Sequence, residues 1–377
     1  MRVLITYLEW GGGPRNAVAA LEKAFGTVAP DAEVRVAELS ALDRSGLAKR
    51  LVASQEDWRH RVAHRRRMSL AYRLRRRAVL AVDRWTGGVH RGSLRSLLGS
   101  WRADVVVALA GPAQHLAALR RRGETEVPMV HVCPDFVVQP LNAVSPCEVI
   151  AVGSQGAADE LAALRLPGVR VVATGIPIDP IYQSGADGEA ARRDLGLNGE
   201  TTRPFLLVPH TRFNGPLATR LDHLLRIGVP CDIVVVGAPD AEIRRAADHA
   251  DSPGGHRVRV MGHTHRMPDL LAAADLIVTK PGGLTTAQAL ASGCVLALLN
   301  PLPDVEQGNL EFVLATGAAI RVYHEATLPL ELTRLLCDHE RLLGMQRAAR
   351  RAARPGAARA IAELAVGLVP PTRSPVS

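Results

Sequence analysis

Short apolar runs recur along the chain, each broken by glycine, proline, asparagine or charged residues. In the first half they fall at Arg2–Thr6, Val34–Ala37, Asp104–Leu109, Pro128–Val132, Glu148–Val152 and Val169–Ala173. In the second half they fall at Phe205–Val208, Asp232–Gly237, Val258–Gly262, Leu276–Val278 and Val295–Leu299. Their length and apolar continuity suit strands buried in a parallel sheet. Between them the spacing turns helical, as with Val18, Leu21 and Phe25 in Ala17–Phe25. Ser154 caps a helix to Leu164; Thr285–Ser292 reads as a helix of small residues closed by Gly293. Leu330–Leu368 is helical and rich in Arg and Ala. Strands alternating with helices predict an α/β protein. The polar, Gly-containing stretch 182–204 predicts a linker between a domain over 1–181 and a second over 205–368, with a frayed tail over 369–377.

The densest chemistry lies between Gly262 and Ala319. Leu276–Val278 ends at Pro281-Gly282-Gly283, and a helix follows at once. In an open parallel sheet, ligands gather at the carboxyl ends of the strands. A helix that starts there aims unpaired N–H groups and its positive dipole end at the ligand, which suits phosphate. Gly282 and Gly283 let the backbone approach an anion closely. An ordinary tight strand-to-helix turn is the competing reading.

The run R-M-P-D-L-L-A-A-A-D-L-I-V-T-K-P-G-G-L-T-T-A-Q-A-L-A-S-G, followed by P-L-P-D-V-E-Q-G-N and T-G-A-A, resembles the nucleotide-sugar half of a glycosyltransferase group. That group holds the monogalactosyl- and processive glucosyl-diacylglycerol synthases and the lipid II-forming N-acetylglucosaminyltransferase. The lipid-glycosyltransferase branch is the nearer, through T-K-P-G-G-L-T and P-L-P. The resemblance implies a GT-B fold: two Rossmann-like domains facing across a cleft, the first binding acceptor and the second the donor, with the last helix returning to the first domain. It implies a UDP-sugar donor, a lipid acceptor, inversion at the anomeric carbon and neither metal nor cofactor.

Residue by residue, the resemblance places His263 and Thr264 at the uracil. Gly262 and Met267 stand beside them in the donor site. Gly282, Gly283 and Thr285 match the diphosphate turn, Gln288 the ribose contact, and Glu306 and Asn309 the sugar hydroxyls. The first turn of the second domain, with His210 and Thr211, matches a donor-facing turn that would meet the diphosphate; a plain loop is the competing reading. Gly11, Gly12 and Gly13 match an acceptor-side glycine loop. Four positions depart from the pattern. Pro14 and Gln139 stand where a histidine is usual, Val305 where glutamine is, and Gln288 where glutamate is. An amide accepts only through its one oxygen, so Gln288 offers the ribose less than a carboxylate does. With both histidines missing, Asp135 and Glu9 are the remaining candidates for the base that takes the acceptor proton.

Composition adds limits. The 377 residues are 47% hydrophobic but only 3% aromatic, so the cores are aliphatic. Five cysteines, an odd number without CxxC spacing, predict a reduced cytosolic chain with no disulfide framework or zinc site. The start is too short and polar for a signal peptide, and no apolar run is long enough to span a membrane. The net charge is +9. Residues 58–85 hold ten arginines, among them Arg65, Arg66, Arg67, Arg75, Arg76 and Arg77, against one acid, Asp83. Leu70, Leu74, Ala78, Val82 and Trp85 form an apolar stripe on the same segment. A basic amphipathic helix fits an anionic membrane surface and a peripheral place on the inner face of the cell membrane. A helix packed on its domain by that stripe is the alternative. No nucleic-acid motif accompanies the block, and no nucleic-acid partner is expected. Against lipid glycosylation stand a transferase for a soluble acceptor, a non-catalytic nucleotide- or lipid-binding relative and a nucleotide-sugar epimerase.

Overall fold

The computed structural model describes residues 1–8, 13–39, 41, 90–139, 142–184, 186–197, 203–210, 217–238, 254–299, 301 and 305–370. Two units emerge, Met1–Asp179 with Gly356–Ser377, and Pro180–Pro355.

The first unit runs β1 (Arg2–Tyr7), α1 (Gly13–Val28), β2 (Glu33–Glu38), α2 (residues 90–101), β3 (Val105–Leu109), α3 (Gly111–Arg121), β4 (Met129–Val132), β5 (Val149–Ala151), α4 (Gln155–Ala163) and β6 (Arg170–Val172). The second runs α5 (Ile181–Ser184), α6 (Gly188–Asp194), β7 (Phe205–Pro209), α7 (Leu217–Leu224), β8 (Asp232–Val236), β9 (Arg257–Met261), α8 (Met267–Ala273), β10 (Leu276–Thr279), α9 (Gly283–Ser292), β11 (Val295–Leu298), α10 (Val305–Thr316), β12 (Ala319–Arg321), α11 (Leu328–Leu336) and α12 (His339–Ala352). The last helix, α13 (Ala357–Val366), belongs to the first unit and packs on α1, β3 and β4.

Each unit is a six-stranded parallel sheet, in the orders β2-β1-β3-β4-β5-β6 and β12-β11-β10-β7-β8-β9. Burial on both faces explains the continuous apolar runs: β3, β4, β8, β10 and β11 are buried at every position. In the first sheet, Leu4, Val106, Met129 and Ile150 meet Ala113, Leu116 and Ala117 of α3 in one core. In the second, Leu206, Ile233, Leu276 and Val295 meet Leu217 and Leu221 of α7 and Leu332 of α11. The α/β, twin-Rossmann reading is borne out.

Several elements differ from expectation. Helix α1 starts at Gly13, ahead of Ala17, because a proline within the first helical turn, here Pro14, lacks only an N–H that would go unpaired anyway. Residues 182–204 hold α6, which belongs to the second unit. Asp187 caps it by accepting from the Ala190 N–H at 2.7 Å, and Gly188 lies so close to α8 that a Cβ there would sit 2.7 Å from the Ala273 nitrogen. The helical segment Leu330–Leu368 divides into three helices. One break is Asp338, whose side chain accepts from the Arg341 N–H at 3.0 Å to start α12; the other is at Pro355. Helix α3 and strand β12 are additions that the apolar pattern does not predict. No helix among the described residues is long and apolar enough to cross a membrane.

Candidate functional site

The second sheet reverses its winding between β7 and β10, which are hydrogen-bonded neighbours although β8 and β9 intervene in sequence. Such a reversal opens a crevice at the carboxyl ends of the strands. The segments leaving it are His210, after β7, and Lys280-Pro281-Gly282, after β10.

Pro281 has no N–H and cannot extend the ladder, so β10 stops at Thr279. The Gly282 N–H folds back to the Lys280 carbonyl at 2.9 Å. Gly282 is the N-cap of α9, and among the described residues no side chain caps that end. The Thr286 N–H donates to the Gly282 carbonyl at 3.0 Å. The N–H groups of Gly283, Leu284 and Thr285 precede it at the positive end of a ten-residue helix. A Cβ on Gly282 would meet nothing within 4 Å, so the space before the turn is open. At the far end Gly293, with φ 72°, takes the left-handed conformation that closes the helix.

Helix α10 fastens onto this turn. Glu306 and Asn309, three residues apart, share a face. The Glu306 carboxylate accepts from the Lys280 ammonium at 2.8 Å, and Asn309, fully buried, donates its side-chain amide to the Pro281 carbonyl at 3.3 Å. Thr285 is half-buried at the opening of α9, and Gln288 lies buried on it, 7% exposed.

The remaining donor-side residues also lie at the carboxyl edge. His210 is buried, and its N–H donates to the Val236 carbonyl at 2.7 Å. Gly262, His263 and Thr264 follow β9, the edge strand. The Gly262 carbonyl accepts from the Gly237 N–H at 3.1 Å, and the Thr264 hydroxyl accepts from the Arg266 N–H at 3.1 Å. His263 is exposed with its ring edge-on to His265, and Met267 opens α8 half-buried. The structure thus gathers Gly282, Gly283, Thr285, Glu306 and Asn309 around one turn. His210 lies across the reversal, and Gly262, His263, Thr264 and Met267 lie at the edge.

In the first unit, Asp135 follows β4 at the carboxyl edge, half-buried. Two residues hold its loop. A Cβ on Gly153 would overlap the Asp135 carbonyl oxygen and come within 3.1 Å of Ile176 Cγ1. The Ser154 hydroxyl donates to the Phe136 carbonyl at 2.7 Å while accepting from the Ala157 N–H at 3.1 Å, so one side chain both caps α4 and pins the loop. Beneath the loop, His131 is fully buried between the Ala108 carbonyl, 3.3 Å from Nδ1, and Cys133 Sγ, 3.4 Å from Nε2. Burial pulls the His131 pKa down to about 4 against the opposing pull of the Ala108 carbonyl. Burial, and then the Asp135 charge, push the Cys133 thiol up. Both are neutral near pH 7: Nδ1–H donates to Ala108 and Nε2 accepts the thiol proton.

One turn in this unit goes beyond the sequence reading. Ala110, at φ 53° and ψ −120°, joins β3 to α3 in a conformation that costs a non-glycine residue about 1–3 kcal/mol. The Gly111-Pro112 pair, one residue past the apolar run 104–109, is its signal. Lys280 stands inside the glycosyltransferase-like run, but a lone lysine after a strand carries no pattern that would assign it a role. Of the remaining expected site residues, Gly13 opens α1. Glu9, Gly11, Gly12, Thr211, Arg65, Arg66, Arg67, Arg75, Arg76 and Arg77 lie outside the described residues.

No protein-family model matches the chain. It is 23% identical over 263 residues to the processive diacylglycerol beta-glucosyltransferase of Bacillus subtilis, a match covering 67% of this chain and 66% of the relative. The chain thus spans just under two thirds of that relative's length. Among solved structures it is similar to Acinetobacter baumannii MurG, with a TM-score of 0.63 at 19% identity over 97% of this chain and 99% of that one. It also resembles UDP-GlcNAc 2-epimerase from Neisseria meningitidis bound to UDP-GlcNAc, with a TM-score of 0.61 at 13% identity over 97% and 100%. The resemblance read from the motifs is borne out, and the fold is GT-B.

Proposed function

We propose that the chain is a UDP-sugar-dependent hexosyltransferase that glycosylates a diacylglycerol-like lipid. The observation that carries this is the uncapped start of α9 behind open space at the winding reversal, in a chain similar to diacylglycerol glucosyltransferases. The diphosphate oxygens accept from the N–H groups of Gly283, Leu284 and Thr285. As the acceptor oxygen bonds to the anomeric carbon, the bond from that carbon to the β-phosphate oxygen breaks and its electron pair leaves with UDP. Fixed N–H dipoles stabilise the charge that develops there. Attack opposite the leaving group inverts the anomeric centre. No metal is needed, because the dipole end of α9 supplies positive potential where a metal would otherwise act. Asp135 takes the acceptor proton, Glu306 holds sugar hydroxyls and Gln288 the ribose, whereas Asn309, wholly buried on the Pro281 carbonyl, holds the turn rather than the sugar. The enzyme works at the inner face of the cell membrane, held by the basic block 58–85.

The test is release of free UDP from a panel of UDP-hexoses, with diacylglycerol in vesicles as acceptor and EDTA in a parallel arm. Turnover with one donor, unaffected by EDTA and lost in Asp135→Asn, is expected. UDP binding without turnover on any acceptor would instead point to a non-catalytic binder, and absence of UDP binding would overturn the donor site itself.

A further inference from the structure

We propose that Lys280 is a charge-exchange residue of the donor site. Its ammonium leaves the Glu306 carboxylate for the incoming diphosphate, and the carboxylate then accepts from the sugar hydroxyls in its place. The inference rests on the donor reading above.

Lys280 is two residues before the N-cap of α9, so its side chain springs from the turn whose N–H groups would face the diphosphate. It is paired with Glu306 at 2.8 Å, with 30% of its own side chain exposed against 11% for the glutamate. The wetter partner is therefore the lysine. Without donor, the pair offsets part of the cost of burying the Glu306 carboxylate. With donor, two phosphates offer more negative charge than one carboxylate does, and they lie at the positive helix end. Glu306 then regains hydrogen-bond donors from the sugar, since a carboxylate has lone pairs for several.

The surroundings permit the exchange. The Lys280 backbone is fixed by the Gly282 N–H and followed by the rigid Pro281, so the side chain can move alone. Asn309 ties α10 to the Pro281 carbonyl independently, so breaking the ion pair does not release the helix. Residue choice points the same way. Lysine occupies three positions, 23, 49 and 280, of the 46 basic ones, and arginine the other 43. A guanidinium would clamp the carboxylate with a two-pronged fork, whereas an ammonium is a rotatable point charge that changes partners readily.

The experiment is calorimetric binding of UDP and of uridine to the full chain and to three variants, Lys280→Met, Glu306→Gln and the double substitution. The double variant removes both charges of the pair together, which keeps the result readable should Lys280→Met fold poorly. In Lys280→Met and in the double variant, UDP affinity is expected to fall about tenfold or more while uridine affinity holds. In Glu306→Gln, UDP affinity is expected to rise about threefold or more, because the competitor for the ammonium is gone. A UDP-to-uridine affinity ratio unchanged in the double variant, or weaker UDP binding in Glu306→Gln, overturns the exchange. A wild-type chain that binds neither compound overturns the donor reading, and the exchange with it.

Discussion

Asn309 and Pro281 meet through one hydrogen bond, from the side-chain amide to the carbonyl at 3.3 Å, with the asparagine wholly screened from water. The first turn of α10 and the entry to α9 are thereby one piece. Asn309→Leu keeps the volume but leaves a buried carbonyl without that donor. It is expected to cost about 1–3 kcal/mol of stability by urea unfolding, and to weaken UDP binding as the turn loosens.

Gly282 separates folding from binding. At φ −73° and ψ 137°, with nothing within 4 Å of the place a Cβ would take, the backbone accepts any side chain. Gly282→Val is expected to change stability by no more than about 0.5 kcal/mol. The same valine would occupy the space an anion needs, so UDP affinity is expected to drop about tenfold or more. Calorimetry on a variant with an unshifted melting curve reads this directly.

Gly153 gives the complementary separation in the first unit. A methyl there overlaps the Asp135 carbonyl and must push the loop aside. Gly153→Ala is expected to cost about 1–3 kcal/mol and to depress turnover, with UDP affinity unchanged, because every proposed donor contact lies in the second unit. Equal losses in turnover and UDP binding would contradict that division.

His131 predicts the acid limb of stability. Its folded pKa of about 4 lies below the unfolded value near 6.5, so the fold favours the neutral ring. The stability this gives is complete above pH 6.5 and is lost as the pH falls towards 4, a total of about 3 kcal/mol. His131→Gln retains a donor for the Ala108 carbonyl but cannot titrate. The difference in unfolding free energy between pH 7 and pH 5 is expected to shrink by about 2 kcal/mol in this variant.

Much of the fold was legible because parallel strands buried on both faces must be apolar throughout. The runs at Asp104–Leu109, Asp232–Gly237 and Val295–Leu299 therefore announced β3, β8 and β11. The caps were legible too: Ser154 accepts the Ala157 N–H, and Gly293 is left-handed. What stayed hidden depends on partners distant in sequence. The three residues Ala319–Arg321 are too few for a period, and they become a strand only by pairing with β11. The stretch 182–204 looked like a linker because its order comes from α8, some eighty residues later. In the candidate site, glycines and capping positions could be read directly. Ion pairing of Lys280 with Glu306, 26 residues on, could not.

The return of α13 to the first unit has a consequence for synthesis. Ala358, Ile361 and Ala365 are wholly buried, and the helix covers part of β3 and β4 beside α1. While residues 180–355 are still emerging from the ribosome, that apolar surface has no native cover. The nascent chain must therefore carry an incomplete first unit until Ala357–Val366 has been made, and a holdase chaperone has a defined face to shield during that interval.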